Sequence, residues 1–90
     1  MNLSAIYKNR KDYYSLANDY FNKIDSDKWE INFLFKIVPK SISILVDHDF
    51  ISTPCVEIKL LFVQDEKEVG CYFLYVDENK VFVDEFLVIN

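Results

Sequence analysis

Residues 54–76 read PCVEIKLLFVQDEKEVGCYFLYV, and this stretch decides the fold. Two runs of β-branched, aromatic and aliphatic residues, 54–64 and 69–76, flank the charged segment Asp65-Glu66-Lys67-Glu68. Two apolar runs around a short polar segment predict a β-hairpin. Because both arms are apolar at nearly every position, the hairpin is expected in the middle of a sheet rather than at its edge.

Further strands are predicted on both sides of this hairpin. Apolar and polar residues alternate over residues 29–38, and a second alternation follows over residues 41–47, after a turn at Pro39-Lys40. Beyond the hairpin, residues 77–80 predict a tight turn and residues 81–89 a fifth strand. Since short connections favour antiparallel neighbours, we expect a five-stranded, mostly antiparallel sheet.

An N-terminal amphipathic helix is predicted over residues 3–24, because the apolar side chains there fall on one half of a helical wheel. Asn2 or Ser4 can cap its first turn. The apolar face is broad, so we expect the helix to pack on one face of the sheet. Residues 1–90 are then expected to form a single α+β domain.

The predicted sheet is apolar on both faces, but one helix covers only one of them. Phe33, Leu60 and Phe73 are expected to share the covered face and to be core residues. The second face requires cover from sheet curvature, from a protein partner or from a second copy of the chain. A homodimer through this second face is therefore one expected arrangement.

Charge is distributed unevenly along the chain, whose net charge is −5. Residues 1–40 carry +2, whereas residues 41–90 carry −7. Such a field repels nucleic acid and attracts basic partners, although acidic groups also keep an apolar domain soluble. A β-bulge at residues 83–86 is expected to turn both carboxylates of that segment outward. The residues predicted to bind a partner are Asp65, Glu66, Glu68, Asp77, Glu78, Asp84 and Glu85.

No set of residues predicts catalysis, a cofactor or a metal. The segment Asp47-His48-Asp49 has only Ser52 and Thr53 as nearby hydroxyls, and neither has the glycine context of an activated nucleophile. Metal binding needs further ligands, so we interpret this segment as a solvated loop. The single glycine, Gly70, excludes a phosphate-binding loop. We therefore expect a protein that is not an enzyme.

Two cysteines are too few for a disulfide framework. Pairing across the hairpin places Cys71 near Leu61 or Phe62 and far from Cys55. Both are predicted to be buried free thiols, which suits a reducing cytosol. The N-terminus lacks a signal-peptide pattern, and no run of about 18 apolar residues is present. A cytoplasmic location is expected.

The helix at residues 3–24, the strands from Trp29 onward and the pairs Asp77-Glu78 and Asp84-Glu85 together resemble the immunity proteins of bacterial toxin systems. Those proteins neutralise contact-dependent growth inhibition toxins and nuclease colicins. The resemblance implies a cytoplasmic binding protein that covers the active site of a basic, nuclease-like toxin. Alternatives are a phage- or plasmid-encoded inhibitor that mimics nucleic acid, and a structural subunit of a homo-oligomer.

Overall fold

The computed structural model describes residues 1–24 and 35–90, which form helices on one face of an antiparallel sheet. The helices are α1 (Leu3–Lys8) and α2 (Arg10–Asn22). The strands are β1 (Lys36–Leu45), β2 (Cys55–Gln64), β3 (Lys67–Val76) and β4 (Phe82–Ile89). Within these residues the sheet has four strands in the order β1-β2-β3-β4, and all neighbours are antiparallel. The predicted α+β class is confirmed.

The predicted hairpin is confirmed as the pair β2 and β3, in the middle of the sheet. Its turn is shorter than expected, because Lys67 and Glu68 already belong to β3 and pair with Gln64 and Val63. Only Asp65 and Glu66 form the turn, and their φ angles are 51° and 65°. Two positive φ angles in a two-residue loop match the twist of the flanking strands, but they are unfavourable for residues that carry a Cβ.

This turn leads to a first prediction. Replacing Asp65 by Asn and Glu66 by Gly should raise the free energy of unfolding by about 1 kcal/mol, because Asn-Gly adopts this turn with little strain. The midpoint of urea denaturation measures the gain. The control is Asp65→Asn with Glu66→Gln, which removes the same charges but keeps a Cβ at position 66. Equal midpoints for the two double variants would show that charge, not backbone strain, is responsible.

The prediction of five strands is wrong for the part of the chain that the structure describes. The single strand β1 contains residues 36–38 and 41–45, which the sequence pattern assigns to two different strands. The predicted turn at Pro39-Lys40 is a bulge inside it, because Pro39 pairs with Leu60 and Ser41 with the next residue back, Lys59. Among the strands that the structure describes, β1 lies at the edge of the sheet, where a bulge can accommodate a proline without removing an interior hydrogen bond. Residues 29–34 of the predicted first strand, including Phe33, lie outside the described residues.

The predicted helix at residues 3–24 is divided at Asn9 into α1 and α2. The Asn9 side chain donates a hydrogen bond of 2.9 Å to the carbonyl oxygen of Ala5, so it competes with the backbone for a helical acceptor. Of the two predicted caps, Asn2 is used, because its Oδ1 accepts from the N–H of Ala5 at 3.2 Å. α1 buries only Ile6, whereas α2 buries one side chain per turn: Tyr13, Ala17 and Phe21.

The main core lies between the helices and the sheet. Phe21 of α2 packs its ring 4.9 Å from the Phe62 ring and 5.5 Å from the Tyr72 ring, measured between centroids. The even-numbered residues of both central strands form the sheet side of this core: Val56, Ile58, Leu60, Phe62, Tyr72, Leu74 and Val76. All seven are fully buried. The assignment of Leu60 to the core is therefore confirmed.

The assignment of Phe73 to the same face as Leu60 is wrong. A bulge at Val69 causes the difference, because Val63 pairs with Glu68 but Phe62 pairs with Gly70. One extra residue in β3 exchanges the two faces of the strand beyond it. Leu60 consequently lies opposite Tyr72, and Phe73 is a half-buried residue of the other sheet face.

Both cysteines are buried free thiols, as predicted. Cys71 lies opposite Leu61, which confirms the predicted neighbourhood, and Cys55 lies opposite Leu45 near the other end of β2. Burial raises the pKa of both thiols, and the charge of Glu57 adds to the increase at Cys55. A raised pKa lowers the fraction of reactive thiolate at neutral pH.

Candidate protein-binding surface

The seven acidic residues predicted to bind a partner do not form one patch. Asp65, Glu66 and Glu68 lie at the turn between β2 and β3, whereas the other four lie at or near the turn between β3 and β4. β3 has 10 residues, so the two turns are separated by about 30 Å at the usual rise per residue. A partner of ordinary size contacts one end of the sheet more readily than both.

Asp77 and Glu78 have different roles in their turn. The Asp77 carboxylate accepts hydrogen bonds from the N–H groups of Asn79 and Val81, at 2.8 and 2.9 Å. It therefore holds the turn, and Lys80 adopts a φ of 64° to close it. Glu78 is exposed, and its carboxylate lies 3.9 Å from the N-terminal amino group of Met1. Within residues 1–24 and 35–90 this is the only ion pair.

The predicted bulge near Asp84 and Glu85 exists, but it does not turn both carboxylates outward. Tyr75 pairs with Asp84 and Val76 with Phe82, so the extra residue is Val83. Because the bulge precedes the acidic pair, the two side chains keep the normal alternation of a strand. The prediction that both are exposed is wrong, since both are half-buried.

Glu85 lies on the helix side, where it is a structural residue. Its carboxylate accepts a hydrogen bond of 2.7 Å from the hydroxyl of Tyr72, which is fully buried. Burial raises the pKa of Tyr72, and the hydrogen bond to Glu85 raises it further. Removing this acceptor would leave a buried hydroxyl without a partner at a cost of about 1–3 kcal/mol, so Glu85 contributes to stability.

The opposite sheet face is crossed by a row of polar side chains. Glu57, Tyr75 and Asp84 are direct cross-strand neighbours on β2, β3 and β4. The Glu57 carboxylate accepts a hydrogen bond of 2.8 Å from the Tyr75 hydroxyl. Burial is the main cause that raises the pKa of Tyr75, followed by this hydrogen bond and by the nearby carboxylates. Asp84 also accepts a hydrogen bond of 2.8 Å from the N–H of Glu85, so it occupies a backbone donor of the outer strand.

The rows next to it are apolar apart from one lysine. Lys59 lies with its Nζ 5.2 Å from the centre of the Phe73 ring, and Phe86 completes that row. Leu61, Cys71 and Val88 form the following row. Phe86 and Val88 are 46% and 43% exposed, so part of this face is open to solvent.

The loop between β1 and β2, residues 46–54, covers the other part of this face. Ile51 is only 5% exposed and forms a small second core with Cys55 and Tyr75. The second sheet face was expected to be covered by sheet curvature, by a partner or by a second copy of the chain. Part of it is covered instead by the chain's own loop.

The histidine in this loop organises its backbone. The Nδ1 atom of His48 accepts hydrogen bonds from the N–H groups of Phe50 and Ile51, at 3.0 and 3.1 Å. The interpretation of residues 47–49 as a solvated loop is confirmed, since Asp47 and Asp49 are exposed. The backbone turn is held by the imidazole of His48 and not by the aspartates. Two apolar side chains of the loop point into solvent, because Phe50 is 91% exposed and Val46 80% exposed.

One end of the sheet therefore concentrates negative charge. β2 begins where β3 ends, so residues 46–57 and 77–85 lie together, and we call this region the acidic end. It carries seven acidic residues and a single Lys or Arg, Lys80. The acidic residues are Asp47, Asp49, Glu57, Asp77, Glu78, Asp84 and Glu85. Asp47, Asp49 and Glu57 are not among the residues predicted to bind a partner, because only the pairing of β2 with β3 brings them near the other four.

Residues 1–24 and 35–90 contain no group of three or more His, Cys, Asp or Glu side chains placed to hold a metal ion. No helix in the same residues has the length and apolarity needed to cross a membrane. Compared with known protein families, with curated proteins and with solved structures, the chain matches none.

Proposed function

We propose that this chain is a non-enzymatic binding protein whose acidic end covers a basic surface of a partner protein. The supporting observation is the concentration of acidic residues at one end of the sheet, where the loop at residues 46–54 also exposes two apolar side chains, Phe50 and Val46. Acidic groups alone could serve solubility. Exposed apolar groups work against solubility, so their position inside the acidic region favours an interface.

The specific function that we propose is that of an immunity protein. A nuclease-like toxin carries a cleft of Lys and Arg residues that holds phosphate, and an acidic surface complements such a cleft. Complementary charge speeds the encounter, and apolar contacts then slow dissociation. The chain acts by covering the toxin's active site, without chemistry of its own.

A homo-oligomer remains the second candidate, because a separate observation favours it. Phe86 and Val88 lie side by side on the open part of the sheet face and are both partly exposed. A second copy that packs on this face would cover them. Sedimentation of the purified chain at increasing concentration tests this arrangement directly.

The test of the immunity function begins with the gene encoded beside this chain. Expression of a neighbouring toxin domain should kill the host, and co-expression of this chain should restore growth. The dissociation constant of the purified pair should rise with salt, because charge pairs at the rim of an interface are screened. Growth that is not restored, or an affinity independent of salt, would contradict the proposal.

Charge reversal should locate the contact. Asp47→Lys with Asp49→Lys should weaken binding more than Asp65→Lys with Glu66→Lys, which reverses two exposed charges at the far turn. Asp84 and Glu85 are unsuitable for this comparison, because each accepts a hydrogen bond within the fold. A larger loss from the far-turn variant would move the interface to the opposite end of the sheet.

A further inference from the structure

We infer that Phe50 is the residue that inserts into the partner, in an apolar pocket bordered by Lys or Arg side chains. This inference rests on the proposed function as a binding protein and adds the contact residue and the chemistry of the surface that receives it. Its basis is the geometry of the loop at residues 46–54, which is held on two sides while the Phe50 ring remains 91% exposed.

The loop is held by its neighbours on both sides of Phe50. On the C-terminal side, Ile51 is buried against Cys55 and Tyr75. On the N-terminal side, Nδ1 of His48 accepts hydrogen bonds from the N–H groups of Phe50 and Ile51. The Phe50 backbone is thus restrained by one buried side chain and two hydrogen bonds. A restrained loop loses little conformational entropy on binding, and this raises affinity.

The orientation of Phe50 is not explained by packing within the described part of the chain. Its ring meets that of His48 edge-on, with centroids 6.3 Å apart, and is otherwise in solvent. A buried aromatic side chain removes roughly 150–250 Å² from water, and rigid aromatic residues are frequent energetic centres of interfaces. The loop therefore presents a large apolar side chain that becomes favourable only when another molecule covers it.

Charge determines which kind of molecule fits. Asp47 and Asp49 lie in the loop just before Phe50, and residues 41–58 contain no Lys or Arg. A surface that receives Phe50 therefore brings its own border within reach of both carboxylates, and a basic border complements them. A second copy of the chain carries a net charge of −5 and the same acidic loop, so long-range repulsion opposes its approach. Its surface at α1 does combine apolar Leu3 and Tyr7 with basic Arg10, and for this reason the tests below include sedimentation of the chain alone.

A phage-displayed library of random peptides, selected on the immobilised full-length chain, tests this inference without a known partner. We expect the selected peptides to combine Lys or Arg with apolar residues. The chemical-shift changes that they cause should centre on Val46, Phe50 and their neighbours. Affinity for a synthetic copy of a selected peptide should fall as salt is raised.

Four variants measure the contribution of the loop. Phe50→Ser should weaken peptide binding by about 10-fold or more without lowering the melting temperature, because the ring is exposed. His48→Ala should weaken binding by about 5-fold through loss of restraint, whereas His48→Asn should retain most of the affinity, since its amide oxygen can accept the same N–H groups. Phe86→Ser, which removes another exposed ring from the open sheet face, should leave affinity unchanged.

Several results would overturn the inference. These are peptides without basic residues, full affinity in Phe50→Ser, or a loss confined to Phe86→Ser. A dimer in sedimentation that Phe50→Ser abolishes would make the occupant a second copy and would also overturn it. If a cognate toxin is found and Phe50→Ser binds it with full affinity, only the inference fails. If no toxin exists but selected basic peptides require Phe50, only the immunity function fails.

Discussion

Replacing Leu60 by alanine is expected to lower the free energy of unfolding by about 2–5 kcal/mol, whereas replacing its neighbour Leu61 should cost about 1 kcal/mol. The two substitutions remove the same atoms from adjacent positions of β2. Leu60 is fully buried beneath the helices. In the alanine variant, neither solvent nor a surface side chain can reach the cavity, so the cost of the cavity adds to the lost burial. Leu61 is half-buried on the opposite face, where solvent and neighbouring side chains can occupy the vacated space.

Urea denaturation of the two variants measures this difference, with circular dichroism to establish that both fold. Equal losses would mean that the two sheet faces are equally buried. A larger loss at Leu61 would mean that the register of the central hairpin differs by one residue from that observed.

The sequence predicts the central hairpin well but not which side chains of β3 face the helices. Alternating apolar residues identify each arm, and the charged segment between them identifies the turn. The bulge at Val69 has one local signal, the adjacent Gly70, because an isolated glycine within a strand often marks a bulge. The apolar pattern itself does not reveal the bulge, because both faces of β3 are apolar. The alternation of β3 is therefore predicted one residue out of step, which places Phe73 on the helix side. Only the observed pairing of Phe62 with Gly70 corrects this.

The misassigned turn at Pro39 has a different cause. A proline beside a lysine ordinarily ends a strand, because it lacks an N–H group for the ladder. That rule depends on whether the strand has neighbours on both sides. β1 pairs only with β2 among the strands described, so a bulge absorbs Pro39 and the strand continues. Strand order is a property of the whole fold, and a local rule cannot supply it.

The candidate surface could be predicted only in part, for the same reason. The excess of acid in residues 41–90 is visible in the sequence, and Asp77-Glu78 is correctly placed at a turn. The proximity of Asp47 and Asp49 to that turn depends on the pairing of β2 with β3. The sequence does carry a signal for Phe50, because this large aromatic residue directly follows a polar segment, Asp47-His48-Asp49, that is typical of an exposed loop.

Replacing Gly70 by alanine is expected to lower the free energy of unfolding by about 3 kcal/mol, at the upper end of the usual cost of overpacking. A Cβ on Gly70 would lie 2.5 Å from the carbonyl oxygen of Val88 and 3.1 Å from a ring carbon of Phe62. The closer obstacle is backbone of the neighbouring strand, so it cannot move aside by changing a rotamer. β4 must shift away from β3, which weakens their hydrogen bonds.

The sign of the effect distinguishes this steric explanation from a general property of glycine. If the backbone at Gly70 could accept a Cβ, alanine would restrict the unfolded chain and raise stability by about 0.4–1 kcal/mol. Denaturation of Gly70→Ala should therefore show a lower free energy of unfolding if β3 and β4 are as close as observed, and a higher one if they are not. Amide hydrogen exchange locates the cause, because the N–H groups of β4 should exchange faster in the variant while those paired between β1 and β2 should be much less affected. A uniform change across all four strands would point to the unfolded state instead of the contact with Val88.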